Sequence, residues 1–97
     1  MQRNILVVED NEVHMNALHI IIKDLHRDVK VYYANSLEKA FQLVLEHHIH
    51  LFLIDIILNT QKPGDVSGLN FAKEIREIIK YKFTPLVFIT SLEDPKL

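Results

Sequence analysis

The chain has 97 residues, of which 48% are apolar and 25% charged, with 11 basic against 13 acidic side chains scattered along it. That composition fits one modest soluble domain, and with no basic stripe or acidic tail it gives no sign of nucleic-acid binding. Cysteine is absent, no apolar run approaches the roughly 20 residues a bilayer requires, and no signal-peptide pattern opens the chain, so a single cytoplasmic domain over residues 1–97 is expected.

Asn4-Ile5-Leu6-Val7-Val8 is a continuous apolar run and reads as a strand buried on both faces. It leads straight into Glu9-Asp10-Asn11, with Asn11 placed to cap a first helix. From Glu12 to about Leu25 the polar residues Glu12, Asn16, His19, Lys23 and His26 recur at helical spacing. They predict an exposed stripe, with Val13, Ala17, Leu18, Ile20, Ile21 and Leu25 turned inward. Arg27 to Lys30 turns into Val29-Lys30-Val31-Tyr32-Tyr33, whose alternation fits an edge strand.

Asn35, with Glu38 three residues on, predicts a capped helix start. Leu37, Ala40, Phe41, Val44 and Leu45 then form the clearest amphipathic pattern in the chain, which His47-His48 ends. Ile49 to Ile54 reads as a third strand. The polar stretch Asn59 to Gly68, holding Pro63 and both glycines, predicts a long loop. Leu69 to Lys80 predicts a third helix with Leu69, Ala72, Ile75 and Ile79 inward. Pro85-Leu86-Val87-Phe88-Ile89 predicts a fourth strand, buried on both faces and ending in Thr90-Ser91.

The alternation β-α-β-α-β-α-β predicts an α/β fold, a parallel sheet with right-handed crossovers and helices on both faces. With the first strand between the second and third, the fold is flavodoxin-like and doubly wound, in order 2-1-3-4. Its ligand crevice then opens at the carboxyl ends of the first and third strands. Asp55 interrupts the otherwise apolar run Leu51 to Leu58. An ionised carboxylate inside such a strand would cost several kcal/mol unpaired, so its place is at the strand's carboxyl end. A turn or helix-cap role is the plain alternative for Asp55, as helix capping is for Glu9-Asp10.

On this topology Glu9, Asp10 and Asp55 share one crevice. Clustered hard oxygen ligands without His or Cys favour Mg²⁺. The fourth strand would bring the Thr90 hydroxyl and the Ser91 backbone N–H to the same end, donors suited to a phosphoryl oxygen. A cation and donors around one accessible carboxylate equip that carboxylate to receive a phosphoryl group.

The segments Ile5-Leu6-Val7-Val8-Glu9-Asp10-Asn11, Leu53-Ile54-Asp55, Ser67-Gly68-Leu69 and Pro85-Leu86-Val87-Phe88-Ile89-Thr90-Ser91 together resemble the receiver domain of two-component response regulators. The resemblance implies that Asp55 accepts a phosphoryl group from a partner histidine kinase and that the domain switches an output domain or protein partner. It implies Mg²⁺ held by Asp10 directly, by Glu9 through water, by Asp55 and by the Ile57 carbonyl. It implies Thr90 as a switch hydroxyl and Ser91 N–H on the phosphoryl group. The family is a phosphoacceptor that assists its own phosphorylation, not an enzyme class. The run Phe83 to Thr90 is also similar to regulators with LytTR-type DNA-binding outputs, which would place the function in transcriptional regulation.

The sequence departs from the family in two places. The connection from Asp55 to Gly68 is longer than usual, with Asn59-Thr60 where Pro is common. The chain also stops before the fourth helix, fifth strand and fifth helix, and so before the family's essential Lys; Lys96, after Pro95, cannot replace it. A receiver incomplete at its carboxyl end is therefore expected, signalling poorly by itself and forming a homodimer or element-swapped oligomer through its fourth strand. Two other readings stand beside phosphotransfer: a pseudo-receiver acting by contacts alone, and a small phosphate-handling enzyme. Retention of Glu9, Asp10, Asp55 and Thr90 opposes the first, and the lack of a further acid-base residue near Asp55 opposes the second. His19, His26, His47, His48 and His50 read as solvated, and His14 as a packed residue close to Glu9-Asp10.

Overall fold

The structure is a computed structural model that describes residues 2–25, 28–55 and 67–89. Expectations for His26, for the loop within 56–66 and for residues 90–97, including Thr90 and Ser91, fall outside the described residues.

Four parallel strands, β1 (Arg3–Val8), β2 (Val29–Ala34), β3 (Leu51–Asp55) and β4 (Leu86–Ile89), form one sheet in the order β2-β1-β3-β4. This is the expected 2-1-3-4 order. β2 closes one side of the sheet as an edge strand, with Val29 and Val31 buried and Lys30 exposed. Helices α1 (Glu12–Leu25), α2 (Leu37–Glu46) and α3 (Ser67–Glu77) are the crossovers. Period-two alternation in β1 splits the core. Ile5 and Val7 join Val29, Val31 and Ile22 on the α1 side. Leu6 and Val8 join Phe52, Ile54, Ala40, Val44, Phe71 and Ile75 on the α2–α3 side.

α1 lies on the sheet through a face turned from the expected one. Leu18 packs inward as expected, but with Met15 and Ile22, while Val13, Ala17, Ile20 and Ile21 are exposed. The reason is polar. Lys23 Nζ donates to the Val29 carbonyl at 2.5 Å, and the His19 ring meets the Tyr33 hydroxyl. Two residues of the expected solvent stripe thus find partners along β2, and an apolar stripe turns outward.

α2 is capped by Ser36 and not by Asn35: the Ser36 hydroxyl accepts from the Lys39 N–H at 3.2 Å. Its buried line is Ala40, Leu43 and Val44, so Leu45, about 100° round from Val44, is exposed instead of inward. His47 caps the carboxyl end, where its N–H donates to the Leu43 carbonyl at 2.9 Å.

α3 begins two residues earlier than expected and ends at Glu77, burying Gly68, Phe71, Ala72 and Ile75. Leu69 is partly exposed and Ile79 lies outside the core. After Glu77 a 3₁₀ turn (Ile79–Tyr81) delivers Tyr81 to the core in place of Ile79. The Tyr81 hydroxyl accepts from the Ile49 N–H at 3.1 Å and donates to the His47 carbonyl at 3.3 Å, and its ring meets Phe52 edge-on. A phenol that satisfies a buried N–H outcompetes an aliphatic side chain for that position. β4 also departs from expectation. Val87 and Phe88 are about half exposed, because among the described residues β4 pairs only with β3 and no element covers its outer part.

Candidate functional site

The acidic residues converge because the strands that carry them are adjacent and in register. β1 pairs with β3 through Val8–Ile54, and one step further along stand Glu9 and Asp55. Glu9 prolongs the ladder, its N–H donating to the Ala34 carbonyl of β2 at 2.9 Å. Asp55 is the last residue of β3, paired with Ile89 of β4. Both carboxylates are buried, Glu9 at 1% and Asp55 at 2% exposure, whereas Asp10 on the following loop is half-buried. One oxygen of each of Glu9, Asp10 and Asp55 lies within 4.8 Å of the others.

The amino terminus of α1 closes the crevice. Asn11 Oδ1 accepts from the N–H groups of Val13 at 2.9 Å and His14 at 3.1 Å, the expected N-cap. The Asn11 N–H in turn donates to Glu9 Oε1 at 3.2 Å, so one residue both starts the helix and orients the carboxylate. That second role leaves no signature in the sequence. The positive end of the helix dipole points at the cluster and favours its negative charge. His14 Nδ1 stands 3.7 Å from Glu9 Oε1, which places the histidine at the rim of the pocket.

Burial pushes the Glu9 carboxyl up to about 7, and the Asp55 carboxyl beside it adds to the rise through a hydrogen bond and through repulsion. The Asn11 N–H and the nearby His14 pull in the other direction. Glu9 Oε2 is buried and, among the described residues, has no hydrogen-bond partner. Three clustered carboxylates, with one Glu9 oxygen unpartnered among the described residues, make a site that favours positive charge. It is the kind of donor set that a small divalent cation with oxygen preference takes.

The other histidines lie elsewhere, in contacts the sequence did not announce. His47 stacks on Tyr32 at 4.2 Å between centroids. His48 and His50 meet edge-on at 4.8 Å at the amino-terminal end of the sheet. His50 Nδ1 accepts from the Asn4 N–H at 2.9 Å, which leaves its proton on Nε2 and suits a structural role, not ligation. Among the described residues the one cluster of potential metal ligands is Glu9, Asp10 and Asp55. Ile57, Thr90 and Ser91 continue β3 and β4 in sequence but fall outside the described residues. No described helix is long and apolar enough to cross a membrane.

Comparison with known proteins agrees with the fold. Over 91 residues the chain is 31% identical to the polar-differentiation response regulator DivK of Brucella ovis, covering 94% of this chain and 68% of that protein. Its fold is similar to the MaeR response regulator bound to beryllium trifluoride, with TM-score 0.75 and 23% identity over 93% of this chain and 68% of that one. It is similar also to a response regulator receiver protein from Pseudomonas putida, with TM-score 0.73 and 23% identity over 93% and 69% of the two chains. The pattern of the response regulator receiver domain matches residues 5–97, and the chain belongs to that family.

Proposed function

We propose that Asp55 accepts a phosphoryl group from the phosphohistidine of a kinase, and that the modified domain acts on an output domain or protein partner in a cytoplasmic phosphorelay, in transcriptional regulation. The supporting observation is the buried Asp55 carboxylate at a strand end, within 4.8 Å of two further carboxylates, one carrying an orphaned oxygen. Glu9, Asp10 and Asp55, with the Ile57 carbonyl, would hold Mg²⁺. That ion would neutralise charge on the phosphoryl oxygens.

The protein groups do the rest. An Asp55 carboxylate oxygen attacks phosphorus in line with the departing imidazole. The O–P bond forms as the N–P bond breaks, and the imidazole nitrogen takes a proton from solvent. Asn11, through its hydrogen bond to Glu9, keeps that carboxylate turned into the pocket. The Thr90 hydroxyl and the Ser91 N–H are assigned to the phosphoryl oxygens. The exposed stripe of Val13, Ala17, Ile20 and Ile21 starts at the rim of the crevice and offers apolar area to an incoming donor protein. β4, open along its outer edge among the described residues, supports self-association of the chain.

Incubation with Mg²⁺ and a small-molecule phosphodonor, read by intact mass, tests the assignment. One added phosphoryl group, lost in Asp55→Asn, is expected. Turnover of the donor without an adduct would indicate a phosphate-handling enzyme, and no reaction at all a receiver that works by contacts alone. A phosphopeptide at any other residue would overturn the role of Asp55.

A further inference from the structure

The end of the molecule opposite the acidic crevice carries a feature that the phosphotransfer reading does not use. Three of the most exposed large apolar side chains are Ile79 at 91%, Phe83 at 88% and Leu45 at 87%. Each lies close in sequence to a partner in one hydrogen bond. The Tyr81 hydroxyl donates to the His47 carbonyl; Ile79 and Phe83 each lie two residues from Tyr81, and Leu45 lies two from His47. All three therefore sit where the carboxyl ends of α2 and α3 meet the amino-terminal end of the sheet.

The turn that holds two of them is pinned. Arg76 Nη1 donates to the carbonyls of Tyr81 at 2.9 Å, Lys82 at 3.2 Å and Thr84 at 2.6 Å. Backbone bonds from Tyr81 to Ile78 and from Thr84 to Tyr81 close the turn, while the buried Tyr81 ring anchors it in the core. Ile79 and Phe83 are thus held outward on an ordered backbone, so burying them elsewhere requires little further ordering.

Their surroundings are cationic. Lys80 and Lys82 alternate with Ile79, Tyr81 and Phe83, and no acidic residue occurs from Ile78 to Ile89. Lys82 Nζ lies 5.7 Å from the ring centre of the exposed Phe83, and Lys80 Nζ 5.3 Å from that of the buried Tyr81, so both charges lie on the turn that carries the tips. The adjoining helices end in acids, α3 in Glu77 and α2 in Glu46, which is engaged by Gln42 at 3.0 Å and by His47 at 3.9 Å.

We propose that this tip is a docking site for an anionic phospholipid bilayer. Exposure and charge favour a bilayer. Ile79, Phe83 and Leu45 project from the surface at 87–91% exposure and line neither the cleft beside His19 and Tyr33 nor that between α3 and β4. Projecting aliphatic and aromatic ends beside two lysines need no matching groove in a fluid interface. The apolar ends enter the headgroup region while the ammonium groups remain among the phosphates. An anionic surface attracts this end and repels the end that holds Glu9, Asp10 and Asp55. The bound domain would therefore present its acidic crevice away from the membrane, where a phosphodonor can reach it.

Flotation of the 97-residue chain with vesicles of mixed phosphatidylcholine and phosphatidylserine, and of phosphatidylcholine alone, tests this. Binding is expected only to the anionic vesicles. Lys80→Glu/Lys82→Glu should weaken it by at least about 25-fold, at roughly fivefold per lysine. Ile79→Ser/Phe83→Ser should weaken it at least about tenfold, and Val13→Ser/Ile20→Ser on α1 should leave it unchanged. Circular dichroism checks that each variant is folded; the lysine and apolar pairs are independent, so either one carries the test. Failure of the wild type to bind anionic vesicles would overturn the proposal, as would equal weakening by the α1 pair. Lipid-free self-association abolished by Ile79→Ser/Phe83→Ser would also overturn it, because a second copy would then be the occupant.

Discussion

Glu9 shows how the fold sets the chemistry of one group. Its carboxyl is held up to about 7 because burial removes water and the neighbouring Asp55 carboxyl hydrogen-bonds to it and repels its charge, whereas in the unfolded chain it ionises near 4.5. The folded state therefore keeps a proton that the unfolded state gives up. The stability this contributes is complete below 4.5 and is lost as pH rises towards 7. In chelator, urea midpoints should fall between about pH 5 and pH 8, and Glu9→Gln should flatten that part of the profile. An unchanged slope in Glu9→Gln would show that another group carries it. The place of Asp55 at the end of β3 was legible in the sequence, but not its burial at 2% exposure, since it was expected to be accessible. The burial of Glu9 and the orientation it receives from Asn11 were not legible either, since both depend on β1 and β3 being neighbours.

At the scale of elements, existence and order were readable while rotation was not. α1 has apolar residues on nearly every side, so periodicity could not choose among faces, and the choice fell to Lys23 and His19 bonding along β2. Ile22→Ala, in the core on the α1 side, should cost about 2–4 kcal/mol. Ile20→Ser and Ile21→Ser, both exposed, should stay within about 0.5 kcal/mol. Equal losses at Ile21 and Ile22 in chemical denaturation would restore the face first expected. The exchange of Ile79 for Tyr81 has a similar cause. Four-residue spacing favoured Ile79, but the buried Ile49 N–H needs an acceptor, which the Tyr81 hydroxyl supplies. Tyr81→Phe, which orphans that N–H, should cost about 1–3 kcal/mol, and Ile79→Ala less than about 0.5.

The whole molecule was the most legible level, because four apolar runs alternating with helical patterns admit few parallel arrangements. What patterning could not show is how unevenly the sheet is covered. Among the described residues β1 and β3 are interior strands, whereas β4 has one paired edge and half-exposed Val87 and Phe88 on opposite faces. The cleft of about 670 Å³ between α3 and β4, lined by Leu69, Ala72, Leu86 and Phe88 among others, continues that apolar surface. An open strand with apolar side chains on both faces is a template for another strand, and a copy of the same strand is always available. Pairing two β4 edges would extend the sheet and bury Val87 and Phe88 of both chains; even 400 Å² of apolar surface at ~25 cal/mol/Å² is on the order of 10 kcal/mol before the costs of association. The chain should therefore sediment as a dimer at micromolar concentration. Val87→Lys, which places a charge on the exposed side of the edge without touching the core, should return it to monomer at unchanged helix content. A monomer in the wild type at the same concentration would show that this edge is not an interface.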